Sequence, residues 1–81
     1  MLKLEIHTKL SPQEVIERLK SFFGKGGLGL EVTDEASQCL NFEGGGGFVT
    51  ATVCPEGKDT RIDLETQEWE YQAKKFSSSL P

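Results

Sequence analysis

A two-layer α+β domain is the fold class this sequence predicts: an antiparallel five-stranded sheet with both helices on one face, in the order β-α-β-β-β-β-α. Three observations carry the expectation. Apolar residues alternate with polar ones in five short runs, the pattern of strands with one buried face. Two other stretches repeat apolar residues every three or four positions, the pattern of helices with one buried stripe. The later four strand-like runs are joined by short, turn-rich connections, which makes them an antiparallel meander. A sheet with a single apolar face then needs both helices on that face.

The elements follow in order. Leu2, Leu4 and Ile6 alternate with Lys3, Glu5 and His7, a half-buried strand. After a turn at Thr8-Lys9, Ser11 is suited to cap a helix, with Pro12 at its first position and Glu14 three residues past the cap. Leu10 and Val15 are spaced as a hydrophobic staple across that start. Val15, Leu19 and Phe22, with Ile16 and Phe23, form the apolar stripe, and Gly24 is expected to end the helix in a left-handed conformation. Leu30 and Val32, against Glu31 and Thr33, make the second strand, and Asp34-Glu35-Ala36-Ser37 reads as a turn.

Four consecutive glycines, Gly44 to Gly47, separate the next two strands. If Glu43 pairs with Phe48, then Phe42 faces Val49 and Leu40 faces Ala51, so the apolar sets coincide on one side. That coincidence selects the register. A two-residue hairpin needs positive φ at both central positions, which Asn followed by Gly also supplies at positions 45 and 46. Four glycines exceed that need, so the run is also a candidate contact loop, with an anion-binding nest of backbone N–H groups as one form.

Cys54-Pro55-Glu56-Gly57-Lys58-Asp59 supplies the next turn, and Ile62 and Leu64 face inward along the fifth strand. Thr66 is expected to cap the last helix, with Glu68 and Glu70 near its positive end and Lys74 and Lys75 near its negative end. Trp69, Ala73, Phe76 and Leu80 make its stripe, Tyr71 lies off it, and Ser77-Ser78-Ser79 reads as a fraying end.

At 81 residues the chain reads as one domain, residues 1–81, with a small core for which association is a common remedy. A net charge of −4 without any basic block argues against nucleic acid and anionic membrane surfaces as partners. The sequence has neither a long apolar run nor a signal-peptide pattern, and a cytoplasmic location is expected. Cys39 and Cys54 fall on one outward face, on a diagonal of roughly 7–8 Å, and are expected as free thiols. With one histidine and no local ligand spacing, a zinc site is not expected, and no cofactor is implied.

The string Gly24-Lys25-Gly26-Gly27-Leu28-Gly29 matches a dinucleotide-binding pattern in letters only. A helix precedes it and a strand follows, the reverse of what phosphate binding at a helix N-terminus needs, so it reads as helix stop and turn.

The element order resembles the repeat unit of the TATA-binding-protein fold and a shortened START-like helix-grip domain. The resemblance covers nearly the whole chain and rests on element order. It implies a C-terminal helix lying across a curved antiparallel sheet. Full helix-grip domains are longer and enclose a hydrophobic cavity. The sheet face that reads nucleic acid in the TATA-binding fold would correspond here to Lys3, Glu5, His7, Glu31, Thr33, Cys39, Asn41, Thr50, Thr52, Arg61, Asp63 and Glu65. That face is mixed in sign, so the nucleic-acid role does not carry over.

His7 has no serine or cysteine tied to it by spacing, so no triad is expected, and the carboxylates Asp63 and Glu65 read as a solvated strand face. The residues that point to function are Gly44, Gly45, Gly46, Gly47, Phe48 and Trp69. Phe48 is expected to project outward beside the glycine loop, as an interface anchor. Trp69 is expected against the sheet, either as core or as the lining of a small groove with Phe22, Phe42 and Phe76. The expected function is a non-enzymatic binding or assembly module that forms a homodimer, with a helix-grip binder of a small apolar ligand as the alternative.

Overall fold

The computed structural model describes residues 1–36 and 38–80. Strand β1 (Leu2–Thr8) leads to helix α1 (Pro12–Phe23), then to β2 (Glu31–Glu35), β3 (Cys39–Gly44), β4 (Gly47–Glu56) and β5 (Asp59–Gln67), and finally to α2 (Glu70–Ser79). The strands form one antiparallel sheet in the order β1-β5-β4-β3-β2. The meander is as the sequence predicts, and β1 returns to lie beside β5. The sheet's two edges are therefore β1 and β2.

Alternation decides which side of the sheet is core. Leu40 and Phe42 of β3, Val49, Ala51 and Val53 of β4, and Ile62 and Leu64 of β5 are all buried on the side of the helices. The β3–β4 register is the one that aligned the apolar sets: Glu43 opposite Phe48, Phe42 opposite Val49, Leu40 opposite Ala51. Val15, Leu19 and Phe23 of α1 and Ala73 and Phe76 of α2 close over that face in one cluster. Phe23 packs between Phe42 of the sheet and Phe76 of the other helix, with ring centroids 5.7 and 5.6 Å apart. Phe22 stacks on Phe23 at 4.9 Å and touches Phe76 at 5.4 Å. Val15, Leu19 and Phe23 are thus the fully buried members of the α1 stripe, with Phe22 beside Phe23 at the rim. Burial of each such side chain contributes about 1.5–3 kcal/mol.

The start of α1 is built as its sequence indicates. The Glu14 N–H donates to Ser11 Oγ at 3.3 Å, and the Ser11 hydroxyl donates to Glu14 Oε1 at 3.2 Å. Its end differs from expectation. Gly24 has φ −82°, not a left-handed value, and the left-handed residue is Gly29 at φ 83°. Gly24 is required for space instead, because a Cβ there would run into the Lys20 carbonyl oxygen. The loop then satisfies the last carbonyls of the helix, with Leu28 N–H on Phe22 and Leu30 N–H on Phe23, both at 2.9 Å.

Asp34 and Glu35, read as turn residues, belong to β2. A bulge between Val32 and Asp34 lets pairing continue to Glu35 opposite Leu40. Ser37, the end of that expected turn, lies outside the described residues. The expected Cys54–Asp59 turn shrinks to Gly57-Lys58, since Pro55 pairs with Thr60 and Glu56 with Asp59. Proline is tolerated in β4 here because β3 pairing stops at Thr52, leaving that edge of Pro55 open.

Thr66 does not cap α2. It is the buried penultimate residue of β5, and its hydroxyl donates to the Phe48 carbonyl at 2.7 Å. Trp69 occupies the cap position without a side-chain cap bond. Because α2 runs on to Ser79, Lys74 and Lys75 sit in its middle and its last turn has no basic residue. Ser77 to Ser79 are helical rather than frayed, with Ser79 Oγ donating to the Phe76 carbonyl at 2.7 Å. Local cap chemistry lost to sheet pairing in this segment.

Cover over the sheet is unequal. α1 lies nearest β4 and α2 nearest β5, so the inner face at both edges is less protected. Leu2 and Leu4 on β1 are half-buried, and Val32 on β2 is 40% exposed although it shares the face of Phe42.

Thr60 ties the two ends of this architecture together. It is buried, and its hydroxyl donates to the Leu10 carbonyl at 2.7 Å, joining β5 to the entrance of α1. A Thr60→Val variant keeps the shape and leaves that carbonyl unpaired, so it is expected to lose about 1–3 kcal/mol. Thermal unfolding checks this, with a fall of roughly 4–8 °C for each kcal/mol in a domain of this size.

Candidate functional site

The glycine run forms a two-residue hairpin turn. Gly44 pairs with Gly47, and Gly45 and Gly46 take φ 59° and 82°, the type I′ signs. The remaining glycines have packing reasons. A Cβ on Gly47 would strike the Gln67 carbonyl oxygen of the neighbouring β5, and one on Gly44 would press on Leu30 at 3.3 Å. Gly45 is constrained twice, since a Cβ there would stand 2.8 Å from Trp69 Cζ2. Only Gly46 faces open space.

Trp69 is the partner that explains the run. Its Nε1–H donates to the Gly44 carbonyl at 2.9 Å, while its ring lies against Gly45 and the edge of the core. The chain reaches this position through Glu68, the one described non-glycine residue with positive φ, at 78°. Left-handed backbone costs such a residue about 1–2 kcal/mol. That cost lets the chain turn from β5 into α2 within a step or two, with the indole placed on the hairpin tip.

Four of the six residues singled out from sequence divide between two faces, while Gly46 faces open space and Gly47 lies against Gln67 and Glu68. Gly44, Gly45 and Trp69 meet on the helix side. Phe48 lies opposite Glu43 and Gln67 on the outer face and is half-buried there, less exposed than its alternation suggested. Sequence reasoning missed Leu30 under Gly44 and Glu68 beside Gly47. The available signal was the surplus of glycine itself, which marks close approach by other parts of the chain.

On the outer face, an open cleft of about 760 Å³ runs beside the turn, lined by Glu31, Asn41, Glu43, Phe48 and Gln67 with Gly44, Gly46 and Gly47. Glu31 stands directly opposite Glu43. Glu43 Oε2 accepts from Asn41 Nδ2 and Thr33 Oγ1, both at 3.1 Å, and Asn41 Oδ1 accepts from Thr50 at 2.5 Å. Two carboxylates at this rim oppose an anion, so the cleft does not suit a phosphate.

The rest of the outer face is polar and paired. Arg61 Nη1 donates to Glu56 Oε2 at 2.9 Å and its Nε lies 3.4 Å from Asp63 Oδ2. Asp63 first, and then Glu56, raise the Arg61 pKa above its usual value, and desolvation works against them. Lys3 sits 3.4 Å from Glu65, and His7 Nε2 lies 2.9 Å from Glu5 Oε2. Cys39 and Cys54 are free thiols, half-buried opposite Thr52 and Arg61. Among the described residues, no group of three or more His, Cys, Asp or Glu side chains is placed to hold a metal ion, and no helix is long and apolar enough to cross a membrane.

The sequence matches no protein-family model, and no curated protein matches it at a significant level.

The turn offers a sharp comparison. Asn accepts positive φ, so turn geometry alone would allow it at either central position. Gly46→Asn is expected to cost less than about 1 kcal/mol. Gly45→Asn forces the indole away and is expected to cost about 1–3 kcal/mol more, in the range of overpacking. Urea denaturation of the two variants measures the difference, and equal midpoints would remove Trp69 as the reason for Gly45.

Proposed function

We propose that this chain is a small, non-enzymatic binding and assembly module that associates with a second copy of itself. The observation that carries the reading is the unequal cover of the sheet. The helix side is filled by rings and aliphatic side chains, while the outer face and the β1 edge are left to solvent. Leu2 and Leu4 lie half-exposed along that edge, and Phe48 stands half-exposed on the outer face. A small core gains stability when such surface is covered by another subunit.

The candidate chemical groups support the same reading. His7 is engaged by Glu5 on its own strand, and Arg61 is held between the carboxylates of Glu56 and Asp63. Outer-face carboxylates predominate, which favours a protein partner over a nucleic acid or an anionic membrane. The second reading, a small apolar ligand between α2 and the sheet, would require Phe76 to leave Phe23 or Trp69 to leave Gly44. Those contacts favour assembly over the ligand.

Light scattering after size-exclusion chromatography tests the proposal. At high micromolar concentration the mass is expected at twice that of the chain, falling toward the monomer on dilution; a monomer throughout would remove it. In the same preparation, Trp69 fluorescence is expected to stay unchanged across a panel of apolar ligands. A saturable spectral shift would favour the second reading.

A further inference from the structure

We infer that two copies join edge to edge through β1, antiparallel about a two-fold axis at Leu4, so that the two sheets become one of ten strands. The inference rests on the self-association proposed above and specifies its surface and register.

The choice between the two sheet edges follows from their chemistry. β2 carries Glu31, Asp34 and Glu35 and a bulge between Val32 and Asp34. A second β2 would meet like charges on a kinked edge, two features that prevent strand addition. β1 is regular, pairs with β5 without a shift from Leu2 to Thr8, and has no proline or glycine. Its side chains carry both signs of charge, Lys3 and Glu5, separated by Leu4.

The pleat and the charges then select a register. Pairings that oppose residues of unlike parity would set the apolar face of one copy beside the polar face of the other, so they are excluded. Centring on Glu5 would place Glu5 against Glu5 of the partner subunit. Centring on Lys3 would oppose the two lysines. Centring on Ile6 would leave Leu2 outside the pairing. Centring on Leu4 sets Lys3 against Glu5 of the partner subunit, twice by symmetry, on the outer face. On the inner face it sets Leu4 against Leu4 of the partner subunit and Leu2 against Ile6 of the partner subunit. That register covers the two half-exposed leucines that α2 leaves unprotected. The Lys3 and Glu5 side chains are 75% and 62% exposed, and their present contacts, to Glu65 and His7, are solvent-exposed pairs that a partner's charge can replace.

Charge reversal tests the assignment. Wild type, Lys3→Glu, Glu5→Lys and the double variant are compared by sedimentation equilibrium, with circular dichroism confirming the fold. Each single reversal sets like charges opposite one another at two symmetric places and is expected to weaken the dimer by about tenfold. The double reversal restores opposite charges and is expected to recover most of that loss. A dimer indifferent to both single reversals would overturn this interface while leaving self-association intact. A monomeric wild type would instead remove the reading beneath it. A second measurement addresses the register. In a Cys39→Ser, Cys54→Ser background, Leu4→Cys places two thiols across the axis, with Cα atoms about 4.5–5.5 Å apart, within disulfide range. Mild oxidation is expected to yield a covalent dimer, and a dimeric protein that does not cross-link would overturn the Leu4 axis.

Discussion

The contact between Trp69 and the glycine turn is the constraint on which the rest of this structure depends. The indole N–H bonds the Gly44 carbonyl and its ring occupies the space that a side chain at position 45 would take. This fastens the tip of the β3–β4 hairpin to the start of α2. It also settles where α2 can lie, because the helix leaves Trp69 with Ala73 and Phe76 already facing the sheet. The left-handed backbone at Glu68 is the local cost, offset by burial of the indole edge and by the shared aromatic packing of Phe22, Phe23, Phe42 and Phe76.

That arrangement divides the molecule into a satisfied side and an unsatisfied one. Inside, the helices and sheet leave the core residues at 7% exposure or less. Outside, the sheet presents paired charges, a hydroxyl and amide network, and an acidic rim beside Phe48. At the edges, the narrow cover of two short helices over five strands leaves apolar side chains partly in water. A single cause, too few helices for the width of the sheet, thus produces both the marginal core and the surface proposed for assembly.

Much of the architecture was legible in the sequence because it follows from periodicity. Alternation identified five strands, and the coincidence of Leu40 and Phe42 with Ala51 and Val49 gave the register of the hairpin. The capping signature at Ser11 gave the start of α1. Errors gathered where local chemistry competed with long-range pairing. Thr66 has the side chain of a cap, yet β4 claims it as a strand residue whose hydroxyl bonds Phe48. Asp34 and Glu35 look like turn residues, but a bulge keeps them in β2, where Glu35 meets Lys20 at 2.7 Å. At the candidate site, the glycines, Phe48 and Trp69 were visible as unusual residues, but their division between opposite faces was not. That division depends on Trp69 reaching back 25 positions to Gly44, a separation no local pattern encodes.

A double-mutant cycle between Gly45→Ala and Trp69→Leu tests the central claim most directly. Alanine at position 45 carries a backbone cost from its positive φ in either background, so the cycle isolates the steric conflict with the indole. If the glycine exists to receive Trp69, the Gly45→Ala penalty shrinks when the indole is absent, with a coupling of about 1 kcal/mol or more by denaturant unfolding. Additive penalties, agreeing within about 0.5 kcal/mol, would contradict the account and return the glycine run to a role outside the packing of this fold.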